Sequence, residues 1–467
     1  ADFVLYWMTA FRRLHWNFAL ERAVDWAREL RKPLVVAEVL TCGNRCDNLR
    51  HHTFVLQGMR EHADSAVGQP LCYLPLVEQN PGEASAALMH LAQSAAVVVA
   101  DDFPIAGSAE APADLPVLLE RVDSNGLLPM RAAPQTFPSA FAFRRYLQRS
   151  LIDCLSDVPD TDPLSRAGMA KPADGLLNLP GEFPLADAAM LRGERRSLAQ
   201  LTIDHNVEPV SLEGGSAAAR RQLTEFLEQR LGRYHLSRNE PDSDVTSGLS
   251  PYLHHGFISV HEVFRDLAER ENWSPDKLGE KATGQRGGWW GMSEPAEAFL
   301  DELVTWREVG FNFCATRPGE HDRYESLPDW ARASMQKHAA DRRTFIYSLE
   351  EFENSRTHDP LWNAAQRQIV LEGRMHNYLR MLWGKKILEW TARPQDALEI
   401  MIELNNKFGL DGRDPNSYSG TCWVLGRYDR PWGPERPIFG TIRYMSSENT
   451  LKKTRVKEYM ARYLVAD

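Results

Sequence analysis

Over the first 120 residues, apolar runs alternate with stretches of helical periodicity. FVLYWM (3–8), LVVAEVL (34–40), the run at 71–77 and AAVVVA (95–100) read as strands buried on both faces, with a fifth expected near 116–122. Between them, residues 14–31 carry Leu14, Phe18, Ala19, Ala23, Trp26 and Leu30 at helical spacing, and helices are also expected near 50–63 and 83–94. Strand and helix in alternation predict a doubly wound parallel sheet. No GxGxxG follows the first strand, so the dinucleotide fingerprint is absent. Asp101 and Asp102 end the fourth strand on the side where such sheets take ligands, although polar loop residues are the simpler account of that pair.

The pattern breaks down from Cys154 to about Leu201, where SDVPDTDPLS and KPADGLLNLPGEFP are rich in Pro, Asp and Gly. After Gly214 and Gly215 the period becomes helical, beginning with AAARRQLTEFLEQRL (217–231), and stays so to the end. The expected organisation is an α/β domain (1–153), a linker (154–213) and an all-α domain (214–467). A chain of 467 residues has the length for two such domains, and its 43% hydrophobic and 25% charged content is that of a globular protein. Its six cysteines are scattered without metal spacing, CGNRC at 42–46 included, which points to reduced thiols, an intracellular setting (cytoplasmic in a prokaryote) and no metal site. No apolar run has the length of a membrane span, and nothing in the pattern calls for an obligate protein partner.

Candidate chemistry concentrates in 358–423. Four of the thirteen tryptophans lie there (Trp362, Trp383, Trp390 and Trp423), among His376, Asn377, Arg380, Asn405, Asp411, Arg413 and Asp414. Trp383 and Trp390 are two helical turns apart, about 10.5 Å along an axis. Two accounts compete: an aromatic-rich core, or a site for a flat, redox-active or stacked ligand. Elsewhere, Thr246, Ser247, Gly248 and Ser250 precede or flank Pro251, where hydroxyls and free backbone N–H groups suit a phosphate; an ordinary N-cap is the simpler account. Glu302 and Trp306 are four apart and would share a helical face, flanked by Arg307. From Arg427 to Arg462 nine Lys and Arg stand against four Asp and Glu, with Tyr428, Trp432 and Tyr444 interleaved. That local surplus, in a chain of net charge −10, is of the kind that meets nucleic acid, although a solvated helix face also explains it.

Taken together, WNAAQ (362–366), MHNYLRMLWGKKILEW (375–390), LDGRDPNSY (410–418), Trp423, RPIFGTIRYM (436–445) and TSGLSPYLHHGFIS (246–259) resemble the photolyase/cryptochrome family, and within it the class II cyclobutane pyrimidine dimer photolyases. The resemblance is specific over about 234–460 and architectural over 1–150. It implies FAD, active as FADH⁻, in the helical domain. Tyr234 and the run Thr246, Ser247, Gly248, Leu249 and Ser250 match the family's flavin-side tyrosine and phosphate-binding loop. Arg380 and Asp411 match an ion pair beside the flavin, with Arg307 nearby and Arg413 in the following loop; Asn405 matches the asparagine facing the flavin ring. Glu302 matches the glutamate that bonds the lesion, Trp306 and Trp423 its aromatic walls, and Met381 the methionine beneath it. Asn377 resembles a class I residue that contacts the lesion, where class II enzymes commonly have glycine.

The tryptophans separate the classes. Thr421 stands where the class I electron-transfer chain begins, whereas Trp383, Trp362 and Trp390 fall on the class II positions, in that order from the flavin. The implied activity is light-driven reversal of pyrimidine dimers in UV-damaged DNA, with the lesion flipped out of the duplex. A cryptochrome-type light sensor and a (6-4) photolyase are the alternatives. The N-terminal sheet has the shape to carry an antenna chromophore, a deazaflavin or a folate, but no motif chooses one.

Overall fold

A computed structural model describes residues 1–464 apart from 106, 108, 109, 167, 174, 178 and 182. The α/β part contains five strands, β1 (Phe3–Met8), β2 (Leu34–Leu40), β3 (Leu71–Val77), β4 (Ala95–Asp101) and β5 (Leu119–Val122), all parallel in the order β3-β2-β1-β4-β5. Every residue of β1 and β2 is buried, as unbroken apolar runs require in a sheet covered on both faces. Alternate side chains divide between two cores. Leu5, Trp7, Val35 and Val98 pack with α3 (Glu83–Ala92), whereas Val4, Tyr6, Val36 and Val99 pack with α1 (Phe18–Leu30).

Helix α1 begins later than its periodicity suggests. Asn17 caps it, its side chain accepting from the N–H groups of Ala19 and Leu20. Phe11 and Leu14 instead enter the sheet core from the preceding loop. That loop is held by Asp101, which takes hydrogen bonds from the backbone N–H groups of Thr9, Ala10 and Phe11 at 2.9, 2.7 and 2.9 Å and from the Tyr6 hydroxyl at 2.7 Å. Asp101 is therefore neither a solvated loop residue nor a group directed at a ligand. Close packing also dictates Gly256, whose φ is +75° and where a Cβ would lie 1.9 Å from the Ala10 carbonyl oxygen.

The connector is anchored rather than loose. Arg166 pairs with Glu21 and reaches Asp25 and Asp160 at 2.7 and 2.8 Å, tying the connector to α1. Leu185 makes an antiparallel bridge to Leu76, covering the edge strand β3.

Cα packing separates two compact units that interleave along the chain: 1–129, 153–223 and 249–266 form one, and 130–152, 224–248 and 267–467 the other. The second unit is helical. Its early member, within α4 (Ala140–Cys154), is fixed by a bidentate buried ion pair, Arg144 to Asp301 at 2.7 and 3.1 Å. The helices Asn377–Glu389, Pro394–Phe408 and Pro415–Val424 approach one another at Gly384, where a Cβ would meet Val424 Cγ2 at 2.8 Å and Met401 Sδ at 2.9 Å. The backbone is π-helical over Phe226–Arg230 and Asp301–Trp306, where the sequence pattern predicts plain α-helix.

Candidate functional site

The helix Asn377–Glu389 organises the site. Its accessible positions near the start are Asn377, Tyr378, Arg380 and Met381, while Leu382 through Leu388 are buried. Arg380 forms a two-toothed ion pair with Asp411, at 3.2 and 3.0 Å. Asp411 opens the loop that leads into the helix Pro415–Val424, and this loop makes a polar knot with Asn405 and Asn406 at the end of Pro394–Phe408. Asn405, which is buried, donates from Nδ2 to Ser417 Oγ at 2.7 Å. Asn406 accepts from the Arg413 backbone N–H at 2.9 Å and donates to the Tyr418 hydroxyl at 3.0 Å. Arg413 takes a φ of +65°, so this turn holds a strained residue in place.

On the buried side of the same helix lie the indoles. Trp383 and Trp362 stack almost in parallel, with ring centroids 6.4 Å apart and planes 6° off. Trp362 then meets Trp390 edge-on at 6.0 Å. Trp362, from the neighbouring helix Pro360–Glu372, thus bridges two residues that share a helix but do not touch through it. Hydrogen bonds lock the stack: Trp362 Nε1 donates to the Trp383 carbonyl at 3.0 Å, and Trp383 Nε1 to Gln366 Oε1 at 2.9 Å. All three rings are at most 3% exposed.

A third group is built on π-helical backbone. Glu302 and Trp306 are the only incompletely buried positions from Asp301 to Gly310, so they share one accessible face. Such π segments recur at functional sites because they re-aim side chains within a helix. Glu302 pairs with Arg238, whose guanidinium carbon lies 5.7 Å from the Tyr234 ring centre. Burial raises the pKa of Glu302 above the ordinary carboxylate range, with Arg238 pulling the other way. The sequence reading missed Arg238, although it stands one turn after Tyr234 on the same face. Arg307 faces the Phe311 ring at 4.3 Å.

Trp423 is half-buried between two cations: Lys385 Nζ lies 5.4 Å from its ring centre and the Arg443 guanidinium 5.6 Å. Lys385 is fully buried and donates to the Val424 carbonyl, and burial lowers its pKa to about 7. Arg443 also lies over Trp432 at 4.9 Å, and Arg430 over Trp432 at 4.6 Å, so part of the C-terminal basic run alternates with aromatic rings as its composition suggests. Arg427 does not belong to that face: it is buried over Phe313 at 3.9 Å and bonds Ser326.

Around Thr246, whose hydroxyl donates to Asp244 at 3.3 Å, lies a set of buried donors. Asp244 meets Arg374 at 3.2 Å; burial raises its pKa, but Arg374, then Arg230 and His376, pull it below the usual range. Both ring nitrogens of His376, Nε and one Nη of Arg230, and Nε of Arg380 are buried without a hydrogen-bond partner in the protein. Burial lowers the His376 pKa to about 4, so the ring is neutral at pH 7 and can both donate and accept. The simpler capping account of Ser250 is corrected: Ser250 is the first helical residue, and Leu249, at the cap, makes no side-chain bond. Leu249 and Ser250 fall in the α/β unit by packing, whereas Thr246, Ser247 and Gly248 fall in the helical unit.

No family model matches the chain. Nevertheless, it is 35% identical over 476 residues to the deoxyribodipyrimidine photo-lyase of Methanothermobacter thermautotrophicus, covering 99% of this chain and 94% of that one. The chain belongs to the deoxyribodipyrimidine photo-lyase family. The photo-lyase of Potorous tridactylus is 32% identical over 484 residues, covering 99% of this chain and 81% of its own. Cryptochrome-1 of Sinapis alba is 28% identical but matches only 47% of this chain and 45% of its own. In fold, the chain is similar to a bacterial class III photolyase from Agrobacterium tumefaciens, with a TM-score of 0.67 at 16% identity, covering 99% of this chain and 86% of that one.

Membership in this family implies FAD, and the residues present fit it. Buried donors without a hydrogen bond on His376, Arg230 (which has Glu225 at 3.6 Å) and Arg380 are what a ligand with a pyrophosphate and a polar ring system would satisfy, and leaving them unmet is costly. Among the described residues no cluster of His, Cys, Asp and Glu is arranged to hold a metal ion, and no helix is long and apolar enough to cross a membrane.

Proposed function

We propose that this photo-lyase is a class II enzyme that reverses cyclobutane pyrimidine dimers in DNA under blue or near-UV light. The observation that carries the class is the file Trp383–Trp362–Trp390, in continuous ring contact from the helix that bears Arg380, with Thr421 where an alternative chain would start. Reduced FAD, when bound among these residues, would supply the light-driven electron-transfer chemistry of dimer reversal.

The chain's residues bind, orient and shield. Thr246, Ser247, His376 and Arg230 would meet the diphosphate and its neighbours, with Arg380 and Asp411 beside the flavin ring. Asn405, its Nδ2 anchored by Ser417, would present Oδ1 to that ring. Trp306, Trp423 and Met381 would wall the flipped-out lesion, and Asn377 would contact its edge. Glu302, with its pKa raised by burial, would bond a base carbonyl, and Arg238 sets its direction. Arg430, Arg436 and Arg443 are exposed and would meet phosphates on either side. The parallel sheet would be the carrier of an antenna of the deazaflavin or folate kind; the absorption spectrum of purified protein would reveal either.

The test is a blue-light repair assay with purified, prereduced protein on oligonucleotides carrying a single dimer. Restored thymines are expected. Light absorption without repair would instead make the protein a cryptochrome-type sensor, and repair confined to (6-4) lesions would place it in that branch.

A further inference from the structure

The indole file does not stop at Trp390. Tyr347, in the loop before the short helix Leu349–Glu353, is tied to it twice: its N–H donates to the Trp390 carbonyl at 3.1 Å, and its ring meets the indole edge-on at 5.7 Å. The Tyr347 hydroxyl lies 2.7 Å from Nδ1 of His358 and accepts the His358 backbone N–H at 3.0 Å. Because the phenol oxygen already accepts from that amide, its own hydrogen is free for Nδ1. The tautomer that satisfies both bonds carries its proton on Nε2. His358 is exposed, contacts Trp390 at 5.0 Å and stacks on the 40%-exposed Phe345 at 3.7 Å. A phenol, an imidazole acceptor in direct hydrogen bond and a route to solvent therefore meet at the outer end of the file.

We propose that His358 is the proton acceptor that makes Tyr347 the terminal electron donor of the relay. The proposal rests on Trp383, Trp362 and Trp390 being the relay. When Trp390 has passed an electron inward, it is an indole radical cation. Tyr347 gives it one electron and, in the same event, gives its phenolic proton to His358 Nδ1. The products are a neutral indole, a neutral tyrosyl radical and an imidazolium. Charge and atoms balance without another reactant, and the imidazolium can lose its Nε2 proton to water because it is exposed. Without a base, oxidising a phenol would leave a strongly acidic cation next to an indole, which is why the position of His358 matters. His358 thus acts through Tyr347 and is a positioning and proton-accepting residue for electron transfer.

Time-resolved absorption and electron paramagnetic resonance after a blue flash on FAD-loaded, oxidised protein test the proposal. In the unmodified protein an indole cation signal should give way to a tyrosyl signal, more slowly in D2O. Tyr347→Phe should leave the indole signal long-lived. His358→Gln keeps an acceptor for the hydroxyl but not a base, and should slow tyrosyl formation by about a hundredfold. In His358→Gly, added imidazole should restore it, which a purely structural role would not predict. Tyrosyl formation at the unmodified rate in His358→Gln, or an indole signal with no tyrosyl signal in the unmodified protein, would overturn the proposal. If no indole signal appeared at all, the relay assignment would fall first and this proposal with it.

Discussion

Replacing Trp362 with phenylalanine separates the relay from mere packing. Trp362 is fully buried and touches both Trp383 (6.4 Å) and Trp390 (6.0 Å). Phenylalanine keeps a flat ring against Phe352 but removes the pyrrole edge and the Nε1 bond to the Trp383 carbonyl. The lost hydrogen bond costs about 1 kcal/mol and the small void about as much again, roughly 2 kcal/mol in total. For a unit of this size that lowers the melting temperature by about 4–8 °C, so the fold survives. Photoreduction, followed as bleaching of the oxidised flavin band under blue light with an external reductant, should fall to near zero, because phenylalanine is a far poorer electron donor than indole. Trp383→Phe should give the same loss. Protein reduced chemically beforehand should keep most of its repair yield. Photoreduction of Trp362→Phe at the unmodified rate would refute the path, whatever the melting temperature showed.

Three further outcomes are expected. Glu302→Ala should lower the repair yield without loss of flavin, and Arg238→Met should do so more weakly while moving the alkaline limb of the repair profile upward, since the protonated carboxyl is the form that bonds a carbonyl and the cation that opposes its raised pKa is gone; full yield in Glu302→Ala would remove it from the lesion site. Lys385 loses its proton near pH 7 when folded but near pH 10.4 when unfolded, so between those values the unfolded chain binds more protons and stability rises with pH. Lys385→Met should flatten that rise in melting temperature measured from pH 7 to about pH 9. Burial raises the Glu38 carboxyl, but His62 at 2.7 Å, with Arg12 and Tyr73, pulls it below its usual range. Its stabilisation is therefore present above about pH 4.3 and lost as pH falls further, and Glu38→Gln, which strands the buried Arg12 guanidinium and takes the carboxylate from His62, should cost about 3–5 kcal/mol in denaturant unfolding.

The first four strands of the sheet were legible because their burial writes them as apolar runs, whereas the edge strand β5, LERV, carries no such run. The start of α1 was not, because Phe11 and Leu14 continue the helical spacing by accident of packing against the sheet, and only the Asn17 side chain marks the break. Asp101 looked like a loop residue because three backbone donors and a phenol converging on one carboxylate leave no periodic trace. The indole file was half visible: the seven-residue interval set Trp383 and Trp390 two turns apart and the family resemblance put Trp362 between them, but the parallel and edge-on ring contacts come only from the tertiary structure. Arg238 carried a faint local signal, its interval from Tyr234. The π-helical backbone that aims Glu302 and Trp306 carried none, since one extra residue per turn depends on tertiary packing rather than on local propensity.

The interleaving of the two packing units has a consequence for how the chain is made. Five crossovers between the units mean that neither is a continuous ribbon, so no single cut releases a finished half. Arg144 emerges from the ribosome 157 residues before Asp301, its buried partner. At about 5–20 residues per second it waits roughly 8–30 s with its charge uncompensated. During that interval the helix that carries it is an orphan of an unwritten core, and a nascent-chain chaperone would find its apolar side at that moment. A circularly permuted chain that brought the two partners into early proximity would shorten the wait, leaving the finished site as it is.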